Sequence, residues 1–191
     1  MTKIKICGIT RLEDALLVQN LGADAIGFIF YPKSKRYIKP KKAKEIAKEI
    51  KIKKIGVFVN EKPKKINEIA SLVNLDYTQI YGEINPISLN KPYIKNIKSI
   101  DEIEKYKNAI LFQIDAIDKN YGGVGKLADW NLAKKIKPLM LSGGITSKNI
   151  KQAIEEINPN WIDLSSGVEL AQGIKDPKLL KELFETLEKI K

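Results

Sequence analysis

The chain has 191 residues with one cysteine and no histidine, which limits the side chains that could perform acid, base or nucleophilic chemistry. Without histidine, the common zinc sites and every histidine-based catalytic triad are excluded. Carboxylates, lysines, tyrosines, backbone amides and the thiol of Cys7 remain. A thiolate is a reactive group, but a lone thiol in an apolar run such as "KIKICGIT" is most often a small core residue. The place of Cys7 in the fold decides between these two roles.

Two other charged residues stand out from their surroundings. Arg36 is one of only two arginines among 34 basic residues, which indicates a position where lysine would not serve. A planar, two-pronged donor suits a carboxylate, and the alternative is a surface arginine bonded to a carbonyl. Asp163 lies inside the apolar run "WIDL". A buried carboxylate needs a partner, which would be either Lys5 or a donor on a substrate.

Small residues follow two of the apolar runs, in "LSGGIT" and "DLSSGVE". Glycine and serine let backbone N–H groups approach a bound phosphate closely, although either segment alone could be an ordinary tight turn. Together the two segments predict a phosphate site built from Gly143, Gly144, Ser165, Ser166 and Gly167.

A third glycine-rich segment, "YGGVGK" at residues 121–126, looks superficially like a nucleotide-binding loop. It lacks a glycine at position 120 and a serine or threonine after Lys126, both of which that motif requires. We interpret it as a flexible lid instead.

These residues need elements that bring them together, and eight apolar runs bounded by Gly, Pro, Asn or Asp predict eight strands. Most runs are apolar throughout, as expected of parallel strands covered on both faces. Cys7 ends the first run and Asp115 ends the sixth. The eight runs are "IKICG", "AIGFIF", "KIGVFV", "YTQIYG", "YIKNI", "AILFQID", "LMLSGG" and "WIDLSSG".

Helical patterns lie between the strands. Apolar residues recur at the 0, 3, 4, 7 spacing of one helix face in four stripes, which begin at Ala43, Ile66, Ile150 and Leu180. Proline suits the first turn of a helix, and capping boxes also predict helix starts. The prolines are Pro63 and Pro177, and the predicted capping boxes pair Thr10 with Glu13 and Ser99 with Glu102.

Alternation of strand and helix through eight units narrows the fold to an open doubly wound sheet or a closed (β/α)8 barrel. Eight units favour the barrel, so we predict one compact α/β domain, a single (β/α)8 TIM barrel over residues 1–191. The chain is short for this fold, so some connections must be abbreviated, most clearly "EINPISLNKP" between strands four and five. Such barrels place their chemistry at the carboxyl ends of the strands and often bind phosphate after strands seven and eight.

Strand parity places Lys3, Lys5 and Cys7 on the same face of the first strand. A thiol with an ordinary pKa of about 8.5 is only a few per cent thiolate at neutral pH. We therefore hypothesise that the ammonium group of Lys5 raises the thiolate fraction of Cys7.

The net charge of +11 could indicate a nucleic-acid partner. Lysines are instead spread along the whole chain and often paired with glutamate, so we expect no nucleic-acid binding. No segment has the run of about 18 apolar residues that a membrane span needs, and the N-terminus lacks a secretory signal. We expect a cytoplasmic protein with no membrane contact.

Six segments, "KICGIT", "GADAIGFIFYPKSKRYI", "GVFVNE", "YGGVGK", "LSGGI" and "DLSSGVE", follow one another in an order that resembles the phosphoribosylanthranilate isomerase family of tryptophan biosynthesis. The resemblance covers nearly the whole chain. It implies a barrel enzyme without cofactor or metal, monomeric or homodimeric, that performs an Amadori rearrangement. The substrate would be N-(5′-phosphoribosyl)anthranilate and the product 1-(2-carboxyphenylamino)-1-deoxyribulose 5-phosphate.

The resemblance also implies roles for the site residues. Asp115, preferred to Asp118 because of its offset before "YGG", would protonate the furanose ring oxygen, and the thiolate of Cys7 would remove the C2′ proton. Arg36 would bind the anthranilate carboxylate and Asp163 would help to position the substrate. The five small residues of the predicted phosphate site would bind the phosphate.

One departure from the family concerns the end of strand four, where "QIYG" stands in place of the usual Gln-Leu-His-Gly. Tyr81 can donate a hydrogen bond but does not titrate near neutrality, so a proton-carrying role at this position is doubtful. Three alternatives stay open: another small phosphate-binding barrel enzyme, a basic nucleic-acid-binding module, and a catalytically inactive barrel that senses a phosphorylated metabolite.

Overall fold

The computed structural model describes residues 1–116 and 127–190, so the predicted lid at 121–126 and Asp118 lie outside the described residues. Eight parallel strands close into a barrel in sequence order, which confirms the predicted fold. Each predicted apolar run overlaps one strand, although the first and third strands begin one residue before their runs. The strands are β1 (Lys3–Cys7), β2 (Ala25–Ile29), β3 (Lys53–Val59), β4 (Tyr77–Tyr81), β5 (Tyr93–Asn96), β6 (Leu111–Ile114), β7 (Leu139–Leu141) and β8 (Trp161–Leu164).

Helices cover the outside of the barrel. In the described residues they are α1 (Leu12–Asn20), α2 (Pro40–Lys48), α3 (Pro63–Val73), α4 (Glu102–Lys105), α5 (Trp130–Ala133), α6 (Ile150–Ile157) and α7 (Pro177–Glu188). Between β4 and β5 the chain forms only a 3-10 turn at Pro86–Ser88, so the predicted abbreviated connection is confirmed. None of the helices in the described ranges is long and apolar enough to cross a membrane.

The four predicted helix stripes pack against the barrel. In α3 and α7 all four stripe positions are buried, and in α6 the stripe is buried except for Ile154, which is half-buried. In α2 three are buried within the helix and Ile50 is buried just after it. Pro63 and Pro177 occupy first helical turns as predicted. The stripes therefore form the contact between the helical layer and the strands.

Both predicted capping boxes are wrong. The N-cap of α1 is Arg11, without a side-chain capping bond, and the hydroxyl of Thr10 donates to the carbonyl of Gly173, 2.5 Å away. The N-cap of α4 is Asp101, also without a side-chain capping bond, and the carboxylate of Glu102 accepts from the backbone N–H of Lys98. In both cases the helix begins after a different residue from the one that the local pattern assigned to the cap.

The barrel interior changes from apolar to polar along its axis. The part nearer the amino ends of the strands is filled by a cluster of Ala25, Ile55, Ile94, Leu111, Met140 and Trp161. Because side chains on one face of a strand recur every two residues, the next inward positions of β6 and β8 are Gln113 and Asp163. Both are buried and polar. The inward-facing side chains therefore form a polar layer on the side nearer the carboxyl ends of the strands.

A small antiparallel hairpin follows the barrel. After β8 the chain makes a 3-10 turn at Ser166–Val168, and then β9 (Glu169–Ala171) pairs with β10 (Ile174–Lys175) before α7 begins. The hydrogen bond from Thr10 to Gly173 ties this hairpin to the loop after β1. The hairpin thus lies beside the carboxyl end of β1, where Cys7 is found.

Gly27 on β2 faces the inside of the barrel and Gly56 on β3 faces the outside, and both are tightly packed. A Cβ at Gly27 would lie 2.7 Å from the Cys7 sulfur and 2.9 Å from Lys5 Cε, whereas one at Gly56 would lie 2.4 Å from Leu75 Cδ1. We expect Gly27→Ala and Gly56→Ala each to lower the free energy of unfolding by about 1–3 kcal/mol, measured by denaturant titration.

Only Gly27→Ala should also change the rate at which iodoacetamide alkylates Cys7, because only that Cβ meets the sulfur. Gly56→Ala is the matched control on the outer face. Equal alkylation rates in the two variants would contradict this account of the interior.

Candidate active site

One cavity at the carboxyl end of the barrel brings all the predicted site residues together. The strand ends and the loops that follow them form its wall, as expected for this fold. The predicted residues that line it are Cys7, Arg36, Asp115, Gly143, Gly144, Asp163, Ser165, Ser166 and Gly167. Cys7 on β1 and Asp115 after β6 therefore face the same small space, while their chemical roles stay predictions.

Cys7 ends β1 and is buried. Burial raises the pKa of its thiol, since the charged thiolate is poorly solvated there, and the ammonium group of Lys5 lowers it in part. The effect of Lys5 on the pKa of Cys7 thus has the direction that the hypothesis requires. Burial outweighs that effect, so the pKa of the thiol lies above its ordinary value.

The Lys5 side chain is fully buried, and its ammonium nitrogen lies 2.8 Å from Asp163 Oδ2. The same oxygen accepts longer hydrogen bonds from Gln113 Nε2 at 3.3 Å and Gln79 Nε2 at 3.4 Å. Asp163 Oδ1 is buried and has no hydrogen-bond partner among the described residues. Lys5 is therefore the partner that the sequence required for Asp163, and the second oxygen is available to a donor in the cavity.

Asp115 directly follows β6, and each of its carboxylate oxygens accepts one hydrogen bond. The Tyr81 hydroxyl donates to Oδ2 at 2.8 Å, and the backbone N–H of Ala116 donates to Oδ1 at 2.8 Å. Burial raises the pKa of Asp115, and the hydrogen bond from Tyr81 offsets part of that rise. Tyr81, at the position where the family usually has histidine, thus contacts the predicted acid directly.

Arg36 is buried at the cavity wall, and its guanidinium binds the Glu169 carboxylate. Arg36 Nη2 lies 2.7 Å from Glu169 Oε2, and Nε lies 2.9 and 3.0 Å from the two oxygens. The two-pronged carboxylate contact expected of this arginine is therefore present, but in this structure the carboxylate belongs to the protein. Lys175 also contacts Glu169, at 2.9 Å.

At Gly143 and Gly167 the loops after β7 and β8 pack too closely to carry a side chain. A Cβ at Gly167 would lie 2.0 Å from the carbonyl oxygen of Ile145, and Gly143 has a φ of +86° that favours glycine. A Cβ at Gly143 would also lie 2.6 Å from the backbone nitrogen of Ala116, beside Asp115. The two loops therefore line one side of the cavity with backbone, as a phosphate site requires.

No group of three or more His, Cys, Asp or Glu residues suited to a metal ion is found within residues 1–116 and 127–190.

Several cavity and supporting residues were missed in the sequence. Gln79 and Ser142 line the cavity, Gln113 bonds to Asp163, and Glu169 holds Arg36. Gln79 and Gln113 carried a usable signal, because each is a polar residue inside an apolar strand, as Asp163 is. Glu169 and Lys175 carried none, because their partners are distant in sequence.

Comparison with known proteins agrees with the resemblance in the sequence. The family model for N-(5′-phosphoribosyl)anthranilate (PRA) isomerase matches residues 4–186. The N-(5′-phosphoribosyl)anthranilate isomerase of Thermotoga maritima is 43% identical over 197 residues, which cover 95% of this chain and 96% of that protein.

Solved structures of the same name share the fold. Phosphoribosyl anthranilate isomerase from Thermus thermophilus superposes with a TM-score of 0.91 at 31% identity, with 100% of both chains covered. A phosphoribosyl anthranilate isomerase in complex with reduced 1-(o-carboxyphenylamino)-1-deoxyribulose 5-phosphate has a TM-score of 0.83 at 37% identity, covering 99% of this chain and 100% of that one. The family match and this end-to-end similarity agree: the chain belongs to the N-(5′-phosphoribosyl)anthranilate isomerase family.

Proposed function

We propose that this chain converts N-(5′-phosphoribosyl)anthranilate to 1-(2-carboxyphenylamino)-1-deoxyribulose 5-phosphate, an Amadori rearrangement and the third step of the tryptophan branch. Family membership supports the reaction. The observation that carries the proposal is the single cavity that collects a thiol, a carboxyl group, an arginine and two glycine-rich loops. An acid, a base, a carboxylate site and a phosphate site are the groups that this reaction needs.

The first step assigned to the site is opening of the sugar ring. Asp115, protonated, donates its proton to the furanose ring oxygen, the bond between that oxygen and C1′ breaks, and the substrate nitrogen supplies the electron pair that forms the Schiff base. Burial supports this role, because it raises the pKa of Asp115 and so favours the protonated carboxyl group.

In the second step, the Cys7 thiolate removes the proton from C2′, and the electron pair of that C–H bond moves to form the enolamine. The enolamine then ketonises to the product. Lys5 supports the thiolate through its positive charge, against the effect of burial. The thiol and Asp115 reach the same cavity from β1 and β6, so one small substrate can contact both.

The remaining residues bind the substrate. The backbone of the loops at Gly143, Gly144, Ser165, Ser166 and Gly167 takes the phosphate, and Arg36 takes the anthranilate carboxylate. The free oxygen of Asp163 accepts a hydrogen bond from the substrate. Cofactor independence, a cytoplasmic location and a monomeric or homodimeric state stay predictions.

Removing either reacting group should abolish most of the turnover. We expect Cys7→Ser and Asp115→Asn each to lower kcat/KM by about 10²-fold or more, measured as loss of the substrate's anthranilate fluorescence. Asp76→Asn is a control at the opposite end of the barrel, where Asp76 binds Lys53 at 2.9 Å, and should keep near-normal turnover. Full turnover in both site variants would rule out the assigned mechanism.

Replacing Lys5 should change the acidity of Cys7. In Lys5→Met the thiolate loses its nearby positive charge, so half-maximal alkylation by iodoacetamide should move to higher pH. Lys3→Met is the matched control, because Lys3 lies on the same strand face but its ammonium sits over the Trp161 ring at 5.3 Å. An unchanged alkylation profile in Lys5→Met would show that Lys5 does not act on the thiol.

Tyr81→Phe should change the pH profile of the reaction. Without the Tyr81 hydrogen bond the charged form of Asp115 is less stable, so the pKa of Asp115 rises. The acidic limb of the kcat/KM profile follows the lower of the two pKa values, whichever group acts as the acid. That value belongs to Asp115, because a carboxyl group ionises at lower pH than a thiol. We expect that limb to move to higher pH by about one unit.

Tyr93→Phe is the control for this variant, because the Tyr93 hydroxyl donates to the backbone carbonyl of Tyr106, 3.4 Å away. Its pH profile should match that of the unaltered protein. Movement of the acidic limb to lower pH in Tyr81→Phe would refute the proposed effect of the tyrosine on Asp115.

A further inference from the structure

Three charged side chains form a buried group at the cavity wall: Arg36, Glu169 and Lys175. The Arg36 and Glu169 side chains are only 5% and 4% exposed, and that of Lys175 is 0% exposed. Glu169 lies between the two cations and contacts both, at 2.7 Å and 2.9 Å. Together, the two cations and one anion carry a net charge of +1.

The group also touches the backbone of the site. Lys175 Nζ donates to the carbonyl oxygen of Cys7 at 2.6 Å and to that of Ser165 at 3.4 Å. Glu169 Oε1 accepts from the backbone N–H of Gly173 at 3.2 Å. These contacts connect the end of β1, the phosphate loop after β8 and the hairpin that follows it.

The way in which Arg36 binds Glu169 leaves part of the guanidinium unused. Its hydrogen bonds to Glu169 come from Nε and Nη2, on one edge of the planar group. Within the described residues none of the side-chain hydrogen bonds of Arg36 comes from Nη1, and Arg36 lines the cavity whereas Glu169 does not. The edge formed by Nη1 and the second N–H of Nη2 is a second two-pronged donor.

We propose that Glu169 is a positioning residue that fixes the guanidinium of Arg36, so that its free edge binds the carboxylate of the substrate. This proposal rests on the proposed function. A buried arginine without a counter-ion is costly, and Glu169 removes that cost without neutralising the whole group, since Lys175 offsets the carboxylate. The net positive charge then stays available for an anionic substrate.

The test compares two stable ligands that differ only in the carboxylate. One is reduced 1-(2-carboxyphenylamino)-1-deoxyribulose 5-phosphate, and the other is the same compound with a phenyl ring that lacks the carboxyl group. In Glu169→Gln we expect the dissociation constant of the first ligand, measured by calorimetry, to rise about tenfold or more. The dissociation constant of the second should change less than twofold.

The kinetic counterpart is a higher KM for phosphoribosylanthranilate with little change in kcat, since Glu169 is assigned to binding and not to proton transfer. Glu156→Gln is the matched control, because Glu156 forms an exposed ion pair with Lys134 at 3.2 Å. It should leave both dissociation constants and KM unchanged.

Equal weakening of both ligands, or no weakening of either, would overturn the role of Glu169. Should Glu169→Gln not fold, Glu169→Asp keeps the charge and withdraws the carboxylate by one methylene. In Glu169→Asp the dissociation constant of the ligand with the carboxylate must then rise more than that of the ligand without it. Absence of turnover by the unaltered protein would refute the proposed function, whereas the ligand comparison tests Glu169 independently of turnover.

Discussion

The ion pair between Lys5 and Asp163 is the interaction on which the rest of the site depends. These two residues face each other in register where β1 meets β8, so the pair lies on the seam that closes the barrel. Removing two charges from water costs more than most such pairs return, which makes the pair a poor source of stability. Its effect is positional, because it holds a negative charge in the lining of the cavity and a positive charge next to it.

Burial acts on the two proposed reacting groups in opposite senses. It raises the pKa of Asp115, which favours the protonated acid, and it raises the pKa of Cys7, which disfavours the thiolate base. Neighbouring groups moderate both effects, since Tyr81 and the Ala116 N–H donate to Asp115, and Lys5 and Lys175 lie near the thiol. Closing the site to water thus helps one proton transfer and hinders the other.

Much of this architecture could be predicted from local patterns. The apolar runs identified all eight strands, and the 3.6-residue stripes identified the buried faces of α2, α3, α6 and α7. The strand ends then placed Cys7 and Asp115 at one mouth of the barrel. These predictions succeeded because a buried strand or helix face requires apolar residues at short, regular intervals along the chain.

Contacts between distant segments leave no such pattern. Arg36 and Glu169 are 133 residues apart, and Lys175 bonds to the backbone of Cys7 across 168 residues. The Thr10 hydroxyl likewise donates to a carbonyl 163 positions away, while α1 begins after Arg11 and not after Thr10. Composition identified the arginine as unusual, but no local pattern could identify the carboxylate that holds it.

The 3-10 turn that takes the place of a helix between β4 and β5 reduces the number of residues that the barrel needs. A shorter connection loses less conformational entropy when its ends are brought together, so this barrel closes with fewer residues than is usual for its fold. A few side chains fasten the shortened link: Asn67 on α3 donates to the carbonyl of Ser88 and accepts from the N–H of Asn90, and Glu83 accepts from Lys105 and Tyr106. A helix would attach along its whole length, whereas this link is held near its two ends.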